Sequence, residues 1–221
     1  MSPAAPEPKL NQLLGRAAEG DANAWRQIVE AYSRRVYGLL VRQCGDRDLA
    51  EEITQATFVK VVSHIGRYRE QGKFEPWLFR IAMNRLRDEM RRRKRQARSM
   101  DMSGGRSEED GQWAAVEDKV VDRGGPGKIA EDPQERVSRL EQVERLKQAI
   151  RELGPADQEI LHLRHTAGLS FAQIAQTLDE PLGTVLARGH RALGKLRKML
   201  DESDENPKKE TGKKQDRREE R

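Results

Sequence analysis

The sequence predicts an all-α protein of two small helical domains joined by a flexible linker. Apolar residues recur at helical spacing over residues 10–95 and again over 136–200. Between these stretches, eight glycines and prolines punctuate residues 96–135: Gly104, Gly105, Gly111, Gly124, Gly125, Pro126, Gly127 and Pro133. Charged residues make up 36% of the 221 and hydrophobic ones 35%. Such a chain is too polar for one large core and suits small domains with solvated connections.

Residues 1–9 carry no periodic pattern and are expected to be disordered. The first helical stretch places Ala24, Ile28, Ala31, Tyr32, Val36, Leu39 and Leu40 on one face. Gly45 and Asp46 break it, and Ile53, Ala56, Thr57, Phe58, Val61 and Val62 follow on the next helix. A second break runs from Gly66 to Gly72, and Pro76 sits near the start of a third long helix. In the linker, residues 96–135, Asp and Glu outnumber Lys and Arg ten to five, so it is locally acidic. Trp113 is an isolated hydrophobe there. Residues 201–221 are charge-dense, of mixed sign and without aromatics, and read as a disordered, solvated tail.

The formal net charge is +5 and the pI about 9.4. This balance favours an anionic partner, nucleic acid before membrane surface. Cys44 is the single cysteine, so no intramolecular disulfide is available and a reducing compartment is the simple reading. No stretch approaches the roughly 20 apolar residues of a membrane span, and the start lacks a signal-peptide core. A soluble, cytoplasmic protein with no membrane insertion is expected.

The strongest local signal lies between Asp157 and Leu200. A short helix is followed by Gly168, and Ser170 with Gln173 forms a capping box for the next helix. Pro181 then opens a third helix. At about 100° per residue, Leu182, Val185, Leu193, Leu196 and Leu200 share one side of it, and Thr184, Arg188, Arg191 and Lys195 the other. An apolar back and a basic front, behind a capped helix and a short turn, make a helix-turn-helix suited to the major groove.

The helix from Trp77 to Arg95 is two-sided as well. Leu78, Ile81, Ala82, Leu86 and Met90 face one way, and Arg80, Asn84, Arg87 and Arg91 the other. It runs into RRRKRQAR, residues 91–98, six of them basic, which suits phosphates. Upstream, Asp46, Asp48, Glu51 and Glu52 gather acid at the start of the helix bearing Phe58, Val61 and Val62. That acid suggests a second surface, for a basic protein partner.

These residues resemble the sigma-70 family, specifically its extracytoplasmic-function (ECF) group. The run AYSRRVYGLLVRQCGDRDLAEEITQATFVKVVSHIGRY resembles the polymerase-binding helices of region 2. GKFEPWLFRIAMNRLRDEMRRRKR resembles the segment that reads and melts the minus-10 element. LGPADQEILHLRHTAGLSFAQIAQTLDEPLGTVLARGHRALGKLRKML is similar to the region 4 minus-35 reader. The resemblance implies a region 2-like bundle over 10–95 and a region 4-like helix-turn-helix over 136–200. Asp48, Glu51, Glu52, Gln55 and Phe58 would then meet core RNA polymerase. The loop Arg67 to Phe74, with Arg67 and Lys73, would hold a base of the melted minus-10 strand beside Arg80, Asn84, Arg87 and Arg91. Thr184, Arg188, Arg191 and Lys195 would meet double-stranded minus-35 DNA. Trp77 would be core, and the acidic linker would thread polymerase channels otherwise used by RNA. The resemblance calls for no cofactor and no catalytic residue, and at family level for an anti-sigma partner. Two departures stand out. Val185-Leu186-Ala187-Arg188 replaces a Val-Lys-Ser-Arg common among relatives, and Gly189 and Gly194 interrupt the reading helix at about 1 kcal/mol each. Both imply a weaker or altered minus-35 reader.

Two other classes fit less well. A stand-alone helix-turn-helix regulator would need a ligand-sensing or dimerising first domain, and the acidic helix beside the basic one counts against it. An enzyme or metal protein has only His162 and His165 at a ligating spacing, with no further ligands to complete a site, no P-loop and no nucleophile elbow.

Overall fold

A computed structural model describes residues 7–68, 72–101 and 133–219. Every regular element among them is helical: α1 (Glu7–Ala18), α2 (Ala22–Cys44), α3 (Arg47–His64), a 3-10 turn (Ile65–Arg67), α4 (Phe74–Asp101), α5 (Pro133–Glu152), α6 (Pro155–His165), α7 (Phe171–Leu178) and α8 (Leu182–Glu219). None of the described helices is long and apolar enough to cross a membrane. The acidic linker and Trp113 fall largely outside the described residues. Helix runs six residues past the expected first boundary, to Asp101, and resumes at Pro133.

The boundaries follow from local chemistry. Asp21 caps α2 by accepting from the backbone N–H groups of Asn23 (2.8 Å) and Ala24 (3.2 Å). Asp46 caps α3 through Leu49 N–H at 3.0 Å. Between them α2 ends on Gly45 at φ +69°, where the backbone turns left-handed and its N–H closes on Val41 O at 2.8 Å. Ser170 and Gln173 form the expected capping box on α7, with bonds of 3.2 and 2.8 Å. Asp179 ends α7 at φ +60°, a left-handed position that Asp tolerates better than most residues.

The described chain divides into two compact units. One comprises residues 1–116 with 159–186; the other comprises 117–158 with 187–221. In the first, Ile28, Val36, Leu39, Leu40, Leu49, Leu78 and Phe79 form a core with almost no exposure. Ile160, Leu163, Leu169, Ile174 and Val185 belong to the same cluster. Thus the end of α6, all of α7 and the start of α8 share one hydrophobic core with α1–α4. At ~1.5–3 kcal/mol for each fully buried large aliphatic, this shared burial is the main force seating them there. In the second unit, Lys195 of α8 reaches the buried Asp157 carboxylate at the head of α6, at 2.7 Å.

Two expectations are corrected. On α8 the buried line is Val185, Gly189 and Ala192, with Leu196 half-buried. Leu182 and Leu193 are 45% and 43% exposed. The expected stripe was too broad: at 100° per residue these two leucines lie about 60° and 80° from Val185. The charged segment from Asp201 continues α8 to Glu219 instead of forming a disordered tail.

Candidate nucleic-acid interface

α3 buries Leu49, Ala50, Ile53, Thr54, Thr57, Phe58 and Val61. The two threonines satisfy their hydroxyls on Ala50 O and Ile53 O, each at 2.7 Å. The opposite side therefore shows Asp48, Glu51, Glu52, Gln55, Val59 and Val62, all exposed. Four of the six are charged or polar, and Gln55 donates to Glu51 at 3.3 Å. Phe58, expected on this surface, instead packs in the core at 9% exposure. It sits at the border of the acidic line, about 20° from Glu51 and about 80° from Asp48. Val59 (69% exposed) and Val62 (50%) supply the apolar part of the face. Their signal was present in the spacing: Val59 lies four residues after Gln55 and Val62 seven.

α4 places Arg80, Asn84, Arg87 and Arg91 along one line, with Leu78, Phe79, Ala82, Met83 and Leu86 buried behind them. Its first turn is anchored by an aromatic cluster. Phe74 meets Tyr32 edge-on at 5.4 Å, and Tyr68 stacks on Trp77 at 4.6 Å. Trp77, expected in the core, is half-buried and packs against its margin. Exposed Arg67 and Lys73 are the sequence neighbours of Tyr68 and Phe74 in this cluster. Tyr68 was not singled out in the sequence, although an aromatic between basic residues is a readable base-stacking signal.

The basic run after α4 is partly neutralised within the protein. Arg92 and Arg93 both hold Glu89, at 2.7 and 3.1 Å, and keep its carboxyl down at about 2. Arg93 also reaches Asp46 at 2.9 Å, tying α4 to the cap of α3. On the Arg80–Arg91 line, Arg87 pairs with Glu159 at 2.5 Å and Arg80 with Asp179 at 3.1 Å. Asn84 accepts from Arg87 at 3.2 Å, and Arg91 lies 3.8 Å from Asp88.

On α8, Thr184 and Arg191 are exposed and Arg188 is half-buried. Arg191 donates back to Ala187 O at 3.3 Å. Lys195, assigned with them from its spacing, has Asp157 as its partner. On α6, burial and the nearby positive charge of Arg42 hold the His162 imidazole down at about 4. Cys44 is buried and its Sγ contacts Asp46 O at 3.3 Å. Burial pushes that thiol up, away from the reactive thiolate.

Comparison with known proteins bears on all three faces. Sigma-70 region 2 matches residues 28–96, covering α3 and the α4 line. Sigma-70 region 4 matches residues 149–198, covering α6, α7 and the start of α8. The RNA polymerase sigma-H factor of Pseudomonas aeruginosa is 30% identical over 86% of this chain and 92% of its own length. The sigma factor CarQ of Myxococcus xanthus is 30% identical over 86% and 96%, and the ECF sigma factor SigW of Bacillus subtilis 28% over 88% and 98%. Among solved structures, CnrH in complex with the cytosolic domain of CnrY shares the fold. Its TM-score is 0.57 and its identity 22%, over 86% of this chain and 95% of CnrH. The sigma factor RpoE of Bartonella quintana, solved with the anti-sigma factor NepR, gives 0.56 and 19%, over 80% and 96%. With an acid-faced helix, a basic-faced helix and a capped helix-turn-helix matched in this order, the chain belongs to the sigma-70 family of RNA polymerase sigma factors, in its ECF group.

Proposed function

We propose that this sigma factor divides its work among three faces. The exposed line of α3, Asp48, Glu51, Glu52, Gln55, Val59 and Val62, docks on core RNA polymerase. Arg80, Asn84, Arg87 and Arg91 of α4, with Arg67 and Lys73 at the aromatic-braced loop, engage the minus-10 element and its melted strand. Thr184, Arg188 and Arg191 of α8 meet the minus-35 duplex, and Lys195 serves mainly to brace α8 on Asp157. One observation carries this reading: an acid-and-valine line on α3 and an arginine line on α4 stand on adjacent helices, joined through Arg93 and Asp46.

The chain itself performs no bond chemistry. It supplies binding that favours the opened strand over the closed duplex, and the polymerase makes the phosphodiester bonds. Its place of action is the cytoplasm, where polymerase and promoter are. Control by an anti-sigma protein is carried over from the family resemblance and is tested by co-purification.

The deciding experiment is transcription with purified core polymerase on the DNA upstream of this protein's own coding sequence. A discrete transcript that requires the protein supports the reading. No transcript, together with operator binding by the protein alone, would replace it with a stand-alone regulator.

A further inference from the structure

The front of α8 within the second unit presents Ala187, Arg191, Gly194, Lys195 and Lys198, all exposed, with Gly189 and Ala192 buried behind them. At 100° per residue, Ala187 lies about 140–160° from those two buried positions, so its methyl faces away from the protein. Gly194 follows two turns later, about 20° from the same line. A Cβ added at Gly194 would meet nothing within 4 Å. The fold therefore makes no demand for glycine there, although glycine weakens a helix relative to alanine. Helix propensity is thus not what sets the small residues on this side. They leave it flat, so that another molecule can come close to the backbone. The charges of the same front are not equivalent. Lys195 Nζ is held by the Asp157 carboxylate at 2.7 Å. Arg191 has no carboxylate partner among the described residues, and its Nε donates back across one turn to Ala187 O at 3.3 Å. That bond draws the guanidinium along the helix towards Ala187 and leaves the Nη1 and Nη2 donors for a ligand.

We propose that Ala187 is a specificity-determining residue: its methyl packs on a thymine C5-methyl, on the base pair next to a guanine held by Arg191. The pairing rests on the assignment of α8 to the minus-35 duplex. In the major groove thymine alone presents a methyl, and guanine alone presents two acceptors, O6 and N7. The Nη pair of Arg191 matches those two acceptors. An alanine side chain ends at Cβ, so it reaches a base edge only where the helix backbone lies close. The flat side around Gly194 allows that approach. The pull of Arg191 back to Ala187 O brings its fork beside the alanine rather than about 6 Å further along the helix, which puts the two contacts on neighbouring base pairs. A hydroxyl at position 187 would hydrogen-bond to several base edges, whereas a methyl rewards thymine.

The test uses the full-length protein with core polymerase and a library of its own upstream DNA, randomised over the minus-35 stretch. Selected duplexes should carry a thymine beside a guanine. Each selected thymine is then replaced in turn by deoxyuridine, which deletes only the methyl. At one position the wild-type affinity should fall about fourfold, the worth of one buried methyl group, and A187G should show no loss there. A187S, which keeps Cβ and the helix, should accept other bases in place of that thymine. R191A should keep the uracil penalty and lose the preference for the adjacent guanine. A consensus in which every thymine tolerates uracil, or a penalty that survives A187G, overturns the role of Ala187 and leaves the minus-35 assignment standing. A library that yields no consensus overturns both.

Discussion

Single side chains set the pH response. His162 is largely buried on α6, and its imidazole is held down at about 4 by burial and by Arg42. In the unfolded chain it protonates near 6.5. The folded state therefore favours the neutral form, and this stabilisation is complete above pH 6.5. It is lost as pH falls from 6.5 towards 4, by up to about 3 kcal/mol. Denaturant titration of wild type and His162→Gln at pH 7 and pH 4.5 checks this; equal pH slopes in the two proteins would refute it. Gly168 makes a second case. Its φ of +73° turns the chain between α6 and α7 under Arg35. Gly168→Ala should cost about 1–2 kcal/mol from the left-handed backbone alone, because the added Cβ meets only the Arg35 guanidinium at 3.6 Å. Chemical denaturation reads it directly.

At the scale of the element, the helices were legible because their faces follow one rule, 100° per residue. The α4 arginine line, the α3 acid line and the α7 capping box all stood in the sequence at the spacing found. Phe58 and Leu193 were misplaced because both sit near the border of a face, where periodicity cannot decide between buried and exposed. The ion-pair partners were not legible at all. Glu159 lies 72 residues from Arg87 and Asp179 lies 99 from Arg80, and no local pattern encodes such a distance. Two outcomes follow from the helices themselves. Ser170→Ala removes the side-chain acceptor of the α7 cap and should destabilise that helix by about 1 kcal/mol, seen as faster amide exchange in α7. Val59→Asp leaves the core untouched, since Val59 is 69% exposed. It should weaken polymerase binding at least about tenfold if an apolar contact there is desolvated, and leave thermal unfolding unchanged; unaltered polymerase affinity would remove Val59 from the docking face.

At the scale of the whole molecule, the two helical domains read from the sequence are both present, and residues 159–186 of the second are buried in one cluster with α1–α4. Hydrophobic pattern tells which side chains are buried and is silent on which neighbours bury them. The shared core predicts joint melting: α7 and α2 should lose protection in one cooperative step, and Ile174→Ala should lower the stability of both by about 2–5 kcal/mol. Hydrogen exchange resolved by segment checks it, and independent melting of α7 would contradict it. The same feature sets an order of events during synthesis. The helices α1–α4 leave the ribosome before α7 exists, with about 80 residues still to be added between Asp101 and Leu178. At ~5–20 residues per second, the newborn chain spends roughly 4–15 s with that side of the α1–α4 core uncovered. Each molecule thus completes its hydrophobic core only as translation ends.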